Sequence, residues 1–358
     1  MTYPDDMIRT KVLGIGSYVP DRVVANDELA FLDDRHVRRD TMQTETNDEW
    51  IRKRTGIVER RFVPNDGSMA TSDLALRAAQ RALLDANIEP TDIDCIILGT
   101  LSPDLHFPGT AVILQNKLGI ADRTNCACFD IRQQCSAFVY GLQMADAFIR
   151  SGTYKRILLV GAELHSHALD FSTRGRDVMV LFGDGAGAVV LGPIDSDDPR
   201  AGVMYTSVGA DGRGAMDLHL KIFDIAKLPY IDYDARDREQ NQMMYPQMDG
   251  KRVYLNAVRG MVMATQRALS TTGLSWDDIQ WFVPHQANLR INEKVVEIAQ
   301  VPAEKVLNTI ERFGNTTAAT VPLTIDYWRQ QGKVRKGDRI LSAVFGSGFT
   351  WGAAVFEV

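Results

Sequence analysis

Three side chains in this sequence could together carry out acyl transfer through a thiol. Cys135 lies in FDIRQQCSAFVYGL (129–142), directly before an amphipathic helical pattern. The free amides and partial positive charge of a helix N-terminus favour a thiolate, so we expect the pKa of Cys135 to be lowered. A thiolate attacks thioesters and forms a thioester as its product, which suits it to acyl exchange. His285, after an apolar run, and Asn315, in FGNTT (313–317), add donors for a developing oxyanion or enolate.

Taken singly, each of these residues has a more common structural explanation. Buried cysteines are mostly inert, and an asparagine before a helix is often only its cap. The glycine turn FGSGF (345–349) is a further candidate, because its backbone amides could form an oxyanion hole. Whether these residues form one catalytic site therefore depends on the helices and strands that would bring them together.

An internal repeat supplies those elements. AAQRALLDANIEPTDIDCIIL (78–98) lies over ATQRALSTTGLSWDDIQWFVP (264–284) with 7 of 21 positions identical. In the same chain order, 135–152 lies over 315–332 and 156–160 over 339–343. Apolar runs alternate with helical patterns throughout, which indicates an α/β fold. We predict two copies of one βαβ-type half, 1–195 with the cysteine and 196–358 with the histidine and asparagine.

The repeat also places the candidate chemistry. Cys135 falls on Asn315 in the overlay, so two equivalent helix starts would meet near a pseudo-twofold axis. His285 would arrive there from the end of a neighbouring strand. The sequence thus predicts one site built from both halves.

Composition excludes several other classes of function. The 358 residues carry a net charge of −6, which argues against a nucleic-acid binder, and no apolar run is long enough to span a membrane. The N-terminus lacks a signal-peptide pattern, and four cysteines fit neither a disulfide framework nor a zinc site, so we expect a cytoplasmic protein with reduced thiols. No dinucleotide loop or metal cluster is recognisable, so no permanently bound cofactor is expected.

The basic run at 52–61 fits either a solvated surface or a docking site for a phosphate-bearing ligand.

Over its whole length the chain resembles the ketoacyl-acyl carrier protein synthase III family. The resemblance rests on NDEWIRKRTGI (47–57), HFPGTA (106–111), the Cys135 segment, FGDGAGAVVL (182–191), VPHQANLRI (283–291), FGNTTAATVPL (313–323) and FGSGFTWGAAVFE (345–357). It implies a thiolase-like five-layer αβαβα fold with two duplicated halves. It also implies transfer of an acyl group from acyl-coenzyme A to Cys135. A malonyl thioester carried by acyl carrier protein then loses carbon dioxide and condenses with the acyl group to give a β-ketoacyl product. Such a reaction starts fatty-acid or polyketide synthesis.

The resemblance also implies roles for individual residues. Cys135 is the nucleophile, His285 and Asn315 assist decarboxylation and condensation, and the amides of Cys135 and Ser347 form the oxyanion hole. The remaining roles are coenzyme A contacts at Trp50, Arg54, Arg174 and Asn288, an acyl pocket of Gln134, Phe182 and a Phe107 that crosses a homodimer interface, and carrier-protein docking by Arg290.

Some features of the chain leave the substrate open. Gln133 and Gln134 stand where the family has small residues, and the segments 31–45 and 221–248 are longer than usual. An alternative is a transferase on the same fold that passes the acyl group to an alcohol or amine without condensation. A catalytically silent partner subunit or binding module is a third possibility, which the presence of Cys135 disfavours.

Overall fold

The computed structural model describes residues 8–122, 125–194, 196, 198, 200–221 and 245–358. Most of the long 221–248 segment therefore lies outside the described residues.

Thirteen strands run through the described residues. They are β1 (Arg9–Tyr18), β2 (Arg22–Ala25), β3 (Glu59–Phe62), β4 (Cys95–Gly99), β5 (Ala127–Ile131), β6 (Ile157–Glu163), β7 (Gly185–Ile194), β8 (Val203–Ala210), β9 (Leu218–His219), β10 (Gln247–Met248), β11 (Trp281–Pro284), β12 (Arg339–Gly346) and β13 (Thr350–Glu357).

Ten α-helices accompany these strands within the same part of the chain. They are α1 (Asn26–Leu29), α2 (Asp48–Thr55), α3 (Thr71–Ala86), α4 (Thr110–Lys117), α5 (Ala137–Arg150), α6 (Arg176–Met179), α7 (Gly250–Thr272), α8 (Leu289–Ala299), α9 (Ile310–Phe313) and α10 (Thr320–Gln330).

Four strands of the first large sheet have the same topology as the four strands of the second, and β5 is an additional edge strand. The first has the order β1-β7-β6-β4-β5, and the second has the order β8-β13-β12-β11. In each, the first three neighbouring strands pair antiparallel, and the next pair, β6 with β4 or β12 with β11, is parallel. The repeat found in the sequence is therefore a repeat of structure, with α3 and β4 matching α7 and β11, α5 matching α10, and β6 matching β12. The exact division after residue 195 stays a prediction.

Helices and sheets alternate in five layers. α3 and α4 cover the outer face of the first sheet, and α7 and α8 cover the outer face of the second. Between the sheets, α5 and α10 contribute Phe138, Leu142, Val321 and Ile325 to a core shared with strands of both sheets. Because strands covered on both faces have no polar side, β4 and β6 are buried at every position. The predicted thiolase-like αβαβα fold is confirmed.

This architecture brings the starts of the two central helices together. A short 3-10 turn, Gln134–Ser136, precedes α5, and a corresponding turn, Thr317–Ala319, precedes α10. The two turns are in contact with each other. None of the helices in the described residues combines the length and the apolar character that a membrane span needs.

Candidate active site

Cys135 stands on a tight turn between β5 and α5. Gln134, the residue before it, has a φ of 46°, a conformation that non-glycine residues seldom adopt. The turn is closed by the amide of Ser136, which donates to the Gln133 carbonyl at 3.0 Å. The Ser136 hydroxyl also lies 2.7 Å from the Thr350 hydroxyl on β13. Cys135 is thereby held at the interface between the two halves, with 8% of its surface exposed.

The thiol of Cys135 is protonated at neutral pH in this structure. Burial raises the pKa of the thiol to about 12, and the negative charge of Glu163 adds to the rise. Hydrogen bonds to the side chains of Asn315 and Thr317 and to the cysteine's own backbone act in the opposite direction. The sequence-based expectation of a lowered pKa is therefore wrong for the free protein, because burial outweighs the favourable position before α5.

Asn315 faces the thiol, as the internal repeat predicts. The residue is 4% exposed and is fixed by its backbone, which donates to Leu181 at 2.8 Å and accepts from Gly183 at 3.1 Å. Its side-chain oxygen accepts from the amide of Thr317 at 2.8 Å. Because the oxygen is occupied, the amide nitrogen is the group that can donate to the sulfur or to a substrate oxygen.

His285 follows the last residue of β11 and is 2% exposed. Its amide donates to the Ala343 carbonyl at 2.9 Å, which continues the parallel pairing of β11 with β12. Nδ1 lies 2.7 Å from the Thr320 hydroxyl, whereas Nε2 is buried without a hydrogen-bond partner. Burial lowers the pKa of the imidazole to about 3, so the ring is neutral at physiological pH. A neutral ring with one unpartnered nitrogen is available to a substrate.

The glycine turn after β12 packs directly against the nucleophile. A Cβ added to Gly346 would lie 3.1 Å from the amide nitrogen of Cys135 and 3.2 Å from that of Ser136. The residue with positive φ in this turn is Gly348, at 128°. Ser347 is not among the described residues with positive φ. The serine therefore adds no backbone strain, and its amide stays a candidate oxyanion-hole donor.

The predicted coenzyme A contacts Trp50 and Arg54 are neighbours in space. The Arg54 guanidinium lies 4.2 Å from the centroid of the Trp50 ring on α2. A second guanidinium, that of Arg176, lies 4.6 Å from the same ring and donates to the Glu45 carbonyl at 2.9 Å. Sequence reasoning missed Arg176, although it belongs to the STRGR segment that contains Arg174. The 31–45 segment thus reaches the same cluster through Glu45.

The other predicted contacts for the cofactor and carrier protein are more strongly tied to the protein. Arg174 forms an ion pair with Asp170 at 2.7 Å, and its guanidinium lies 5.7 Å from the Tyr245 ring. Asn288 caps α8 by accepting from the amide of Arg290 at 2.9 Å. Arg290 pairs with Glu293 and also donates to backbone carbonyls at the end of α2, yet 40% of its side chain is exposed. Its docking role stays a prediction.

The predicted acyl-pocket residues occupy two different environments. Phe182 is 8% exposed, and its ring centroid lies 4.6 Å from that of His165, which places it near the nucleophile. Gln134 is half-buried beside Cys135. Phe107, in contrast, is 82% exposed in the single chain.

Arg60 corrects one interpretation of the basic run at 52–61. Its side chain is fully buried and donates to the Asn26 side chain at 2.7 Å and the Val180 carbonyl at 2.8 Å. Burial lowers the pKa of this guanidinium to about 9. Arg60 is therefore a structural link between β3 and neighbouring segments and is unavailable to a phosphate, because alternate residues of β3 face inward.

Comparison with known proteins identifies the family of this chain. Two family models match the chain, 3-oxoacyl-[acyl-carrier-protein] synthase III over residues 129–212 and its C-terminal part over residues 269–358. A beta-ketoacyl-[acyl-carrier-protein] synthase III of Bradyrhizobium sp. is 42% identical over 97% of this chain and 98% of its own length. The chain belongs to the 3-oxoacyl-[acyl-carrier-protein] synthase III family.

Solved structures of family members have the same fold. The 3-oxoacyl-[acyl-carrier-protein] synthase III of Aquifex aeolicus matches with a TM-score of 0.83 and 35% identity, covering 98% of this chain and 100% of that one. The priming β-ketosynthase of the R1128 polyketide pathway matches with a TM-score of 0.83 and 32% identity, covering 100% and 98%. The predictions of family, fold and acyltransferase class are confirmed.

Proposed function

We propose that Cys135 is the acyl carrier of a ketoacyl synthase III-type condensing enzyme, with His285 and Asn315 acting on the second substrate. The observation that carries this assignment is the hydrogen bond between the Asn315 side chain and the Cys135 thiol, which joins the two halves of the fold at one reacting atom. The primer is an acyl-coenzyme A, and the extender is a malonyl thioester on acyl carrier protein. No permanently bound cofactor takes part.

The first half-reaction moves the acyl group to the enzyme. The Cys135 thiolate attacks the thioester carbonyl, the bond from that carbonyl to the coenzyme A sulfur breaks, and the departing sulfur takes up the proton that the thiol released. The amides of Cys135 and Ser347 are the proposed donors to the tetrahedral oxyanion, and the close packing of Gly346 on the nucleophile turn supports this assignment. Because a thioester is exchanged for a thioester, little free energy is lost.

The second half-reaction forms the carbon–carbon bond. Decarboxylation of the malonyl group leaves its electron pair in an enolate, whose oxygen accepts hydrogen bonds from Asn315 Nδ2 and His285 Nε2. The enolate carbon attacks the acyl-Cys135 carbonyl, and the cysteine sulfur departs with the electrons of the broken bond. The Cys135 thiolate takes up one proton from solvent, which returns the site to its starting state, and a β-ketoacyl thioester is released.

The neutral state of His285 determines what it can contribute. The Thr320 hydroxyl has one proton and two neighbours, Nδ1 of His285 at 2.7 Å and the Thr317 carbonyl at 3.1 Å. We assign the proton to the shorter contact, so that Nδ1 is the acceptor and Nε2 carries the hydrogen. His285 then donates to the enolate oxygen without having to act as a base.

Binding of coenzyme A is assigned to the cationic and aromatic cluster of Trp50, Arg54 and Arg176. Arg54 lies over the Trp50 ring, so an adenine would enter this stack between the two side chains. The guanidinium groups suit the phosphates of coenzyme A. We assign Arg174 and Asn288 to contacts further along the coenzyme A molecule. Arg290, exposed at the start of α8, is the proposed contact for the carrier protein's acidic surface.

The proposed active form is a homodimer. β5 forms an edge of the five-stranded sheet, and its Phe129 is 36% exposed. The loop before α4 exposes Leu105 (53%) and Phe107 (82%), a large apolar surface for one chain. A second copy would cover this surface and place its Phe107 in the acyl pocket near Phe182. Nucleic acid and membrane are not proposed as partners.

The proposed function is tested by product analysis. The protein is incubated with malonyl-acyl carrier protein and a panel of acyl-coenzyme A primers, with a Cys135→Ser variant as the matched control. We expect release of carbon dioxide and a β-ketoacyl thioester that the control does not form. An ester or amide product with no carbon dioxide would reject condensation and favour acyl transfer to an alcohol or amine.

A further inference from the structure

A second histidine, His165, reaches the nucleophile through one intervening side chain. His165 follows β6 by two residues, and 11% of its side chain is exposed. Its Nε2 lies 2.5 Å from the Thr317 hydroxyl oxygen, and the Thr317 side chain is in turn hydrogen-bonded to the Cys135 thiol. Residues 152 positions apart in the chain thus form one continuous path to the sulfur.

Thr317 is held in a costly backbone conformation that points to a function. Its φ is 49°, in the left-handed region, where a β-branched residue is a genuine outlier. A hydrogen bond from its amide to the Asn315 side chain, at 2.8 Å, holds it there. The conformation keeps the Thr317 hydroxyl between His165 and Cys135.

The direction of the hydrogen bonds follows from proton counting. A hydroxyl has one proton, so Thr317 can donate either to His165 or to the sulfur. Nε2 of His165 also lies 3.9 Å from Oε2 of Glu163, an oxygen that already accepts from the Leu101 amide and the Ser102 hydroxyl, each at 3.0 Å. An acceptor oxygen facing Nε2 favours the tautomer with hydrogen on that nitrogen.

We propose that His165 is a positioning residue for the nucleophile: its Nε2–H donates to Thr317, which leaves the Thr317 hydroxyl proton for the Cys135 thiolate. The thiolate then receives three donors, the Thr317 hydroxyl, the Asn315 amide and its own backbone amide. No proton leaves the His165–Thr317 pair, so the pair lowers the cost of ionising the cysteine and is restored unchanged after each acyl transfer.

The electrostatic surroundings explain why such a device is needed. Burial and the Glu163 charge both raise the pKa of the thiol, and the Thr317 hydrogen bond opposes them. Burial lowers the pKa of His165 to about 3, so the ring is a neutral donor and adds no positive charge beside the sulfur. Burial also raises the pKa of Glu163 to about 8, so this carboxyl titrates close to neutral pH. The thiol therefore depends on neutral hydrogen-bond donors.

The inference rests on the proposed nucleophilic role of Cys135, but its test needs no acyl substrate. Alkylation of Cys135 by iodoacetamide is followed from pH 6 to 10 by peptide mass spectrometry, which separates it from Cys95, Cys126 and Cys128. The variants are His165→Phe and Thr317→Val, which remove the donors, and His165→Gln and Thr317→Ser, which keep them. Thermal melting confirms that each variant is folded.

We expect the two donor-removing variants to alkylate about tenfold more slowly on the acidic limb, as an apparent pKa raised by about one requires. Because both act on the same bond, the double variant should be no slower than either single variant. The donor-keeping variants should react within about twofold of the wild type. A His165→Phe profile that superimposes on the wild type, or additive effects in the double variant, would overturn the proposal. If the profiles shift as expected but no acyl adduct forms from any acyl-coenzyme A, the proposed function fails while the positioning role stands.

Discussion

The Nδ1 atom of His285 lies 2.7 Å from the hydroxyl oxygen of Thr320, the first residue of α10. The start of one central helix thereby fixes the ring that follows a strand of the second sheet. Because the imidazole is neutral, this contact decides which ring nitrogen carries the hydrogen. The second half-reaction depends on that choice.

Substitution of Thr320 by valine should separate the two half-reactions. Valine keeps the shape of threonine but leaves Nδ1 without a partner, so the Nε2–H tautomer loses its support. We expect acylation of Cys135 to continue at the wild-type rate, while release of carbon dioxide from the malonyl thioester slows by about tenfold. Thr320→Ser is the matched control and should retain both rates. Equal loss of both half-reactions in Thr320→Val would contradict the assigned role of this contact.

Glu163 should make the stability of the protein depend on pH. Burial raises the pKa of its carboxyl to about 8, above the ordinary value of 4.5, so the folded state keeps a proton that the unfolded chain has lost. The free energy of unfolding should therefore fall as pH rises through this interval, by at most about 1.4 kcal/mol per pH unit for one group.

Glu163→Gln provides the comparison, since it cannot ionise. Between pH 6.5 and 8 its free energy of unfolding, measured by urea denaturation, should fall less than that of the wild type. Buried histidines titrate in the unfolded chain at the lower edge of this window, but both proteins share them, so their contribution cancels in the comparison. A difference between the two proteins that stays constant from pH 6.5 to 8 would show that Glu163 does not titrate in this range.

The exposed Phe107 should control assembly. Replacing it with aspartate places a charge in the proposed apolar interface, which should convert the dimer to monomer at micromolar concentration. Sedimentation velocity measures the oligomeric state directly. Leu84→Asp is a matched control, because Leu84 on α3 is also 82% exposed and lies outside this patch. A wild-type protein that is already monomeric, or a dimeric Phe107→Asp variant, would reject the proposed interface.

The architecture could be predicted because the evidence for it is spread along the whole chain. Helix, turn and strand recur in order in the two halves, and the overlay of 78–98 on 264–284 corresponds to two structurally equivalent units, α3–β4 and α7–β11. The same repeat predicts that Cys135 and Asn315 lie together, because it aligns 135–152 with 315–332. Periodic patterns survive in sequence because burial of whole faces enforces them.

Features that depend on individual side chains could not be predicted in this way. Arg176 on the Trp50 ring and Thr317 beside His165 are brought together by loops whose course no periodic pattern records. The high pKa of Cys135 likewise arises from burial by residues distant in sequence. Arg60 is a partial exception, since inward and outward residues alternate along β3, and that alternation was a usable signal.

Intact-mass spectrometry of the protein after exposure to acyl-coenzyme A tests the central claim most directly. The measurement asks whether Cys135 carries the acyl group, and a panel of acyl chains reports the accepted primer at the same time. We predict a single adduct with the mass of one acyl group, mapped by peptide analysis to Cys135 and missing from Cys135→Ala. An unmodified protein with every primer, or an adduct that persists in Cys135→Ala, would contradict the account.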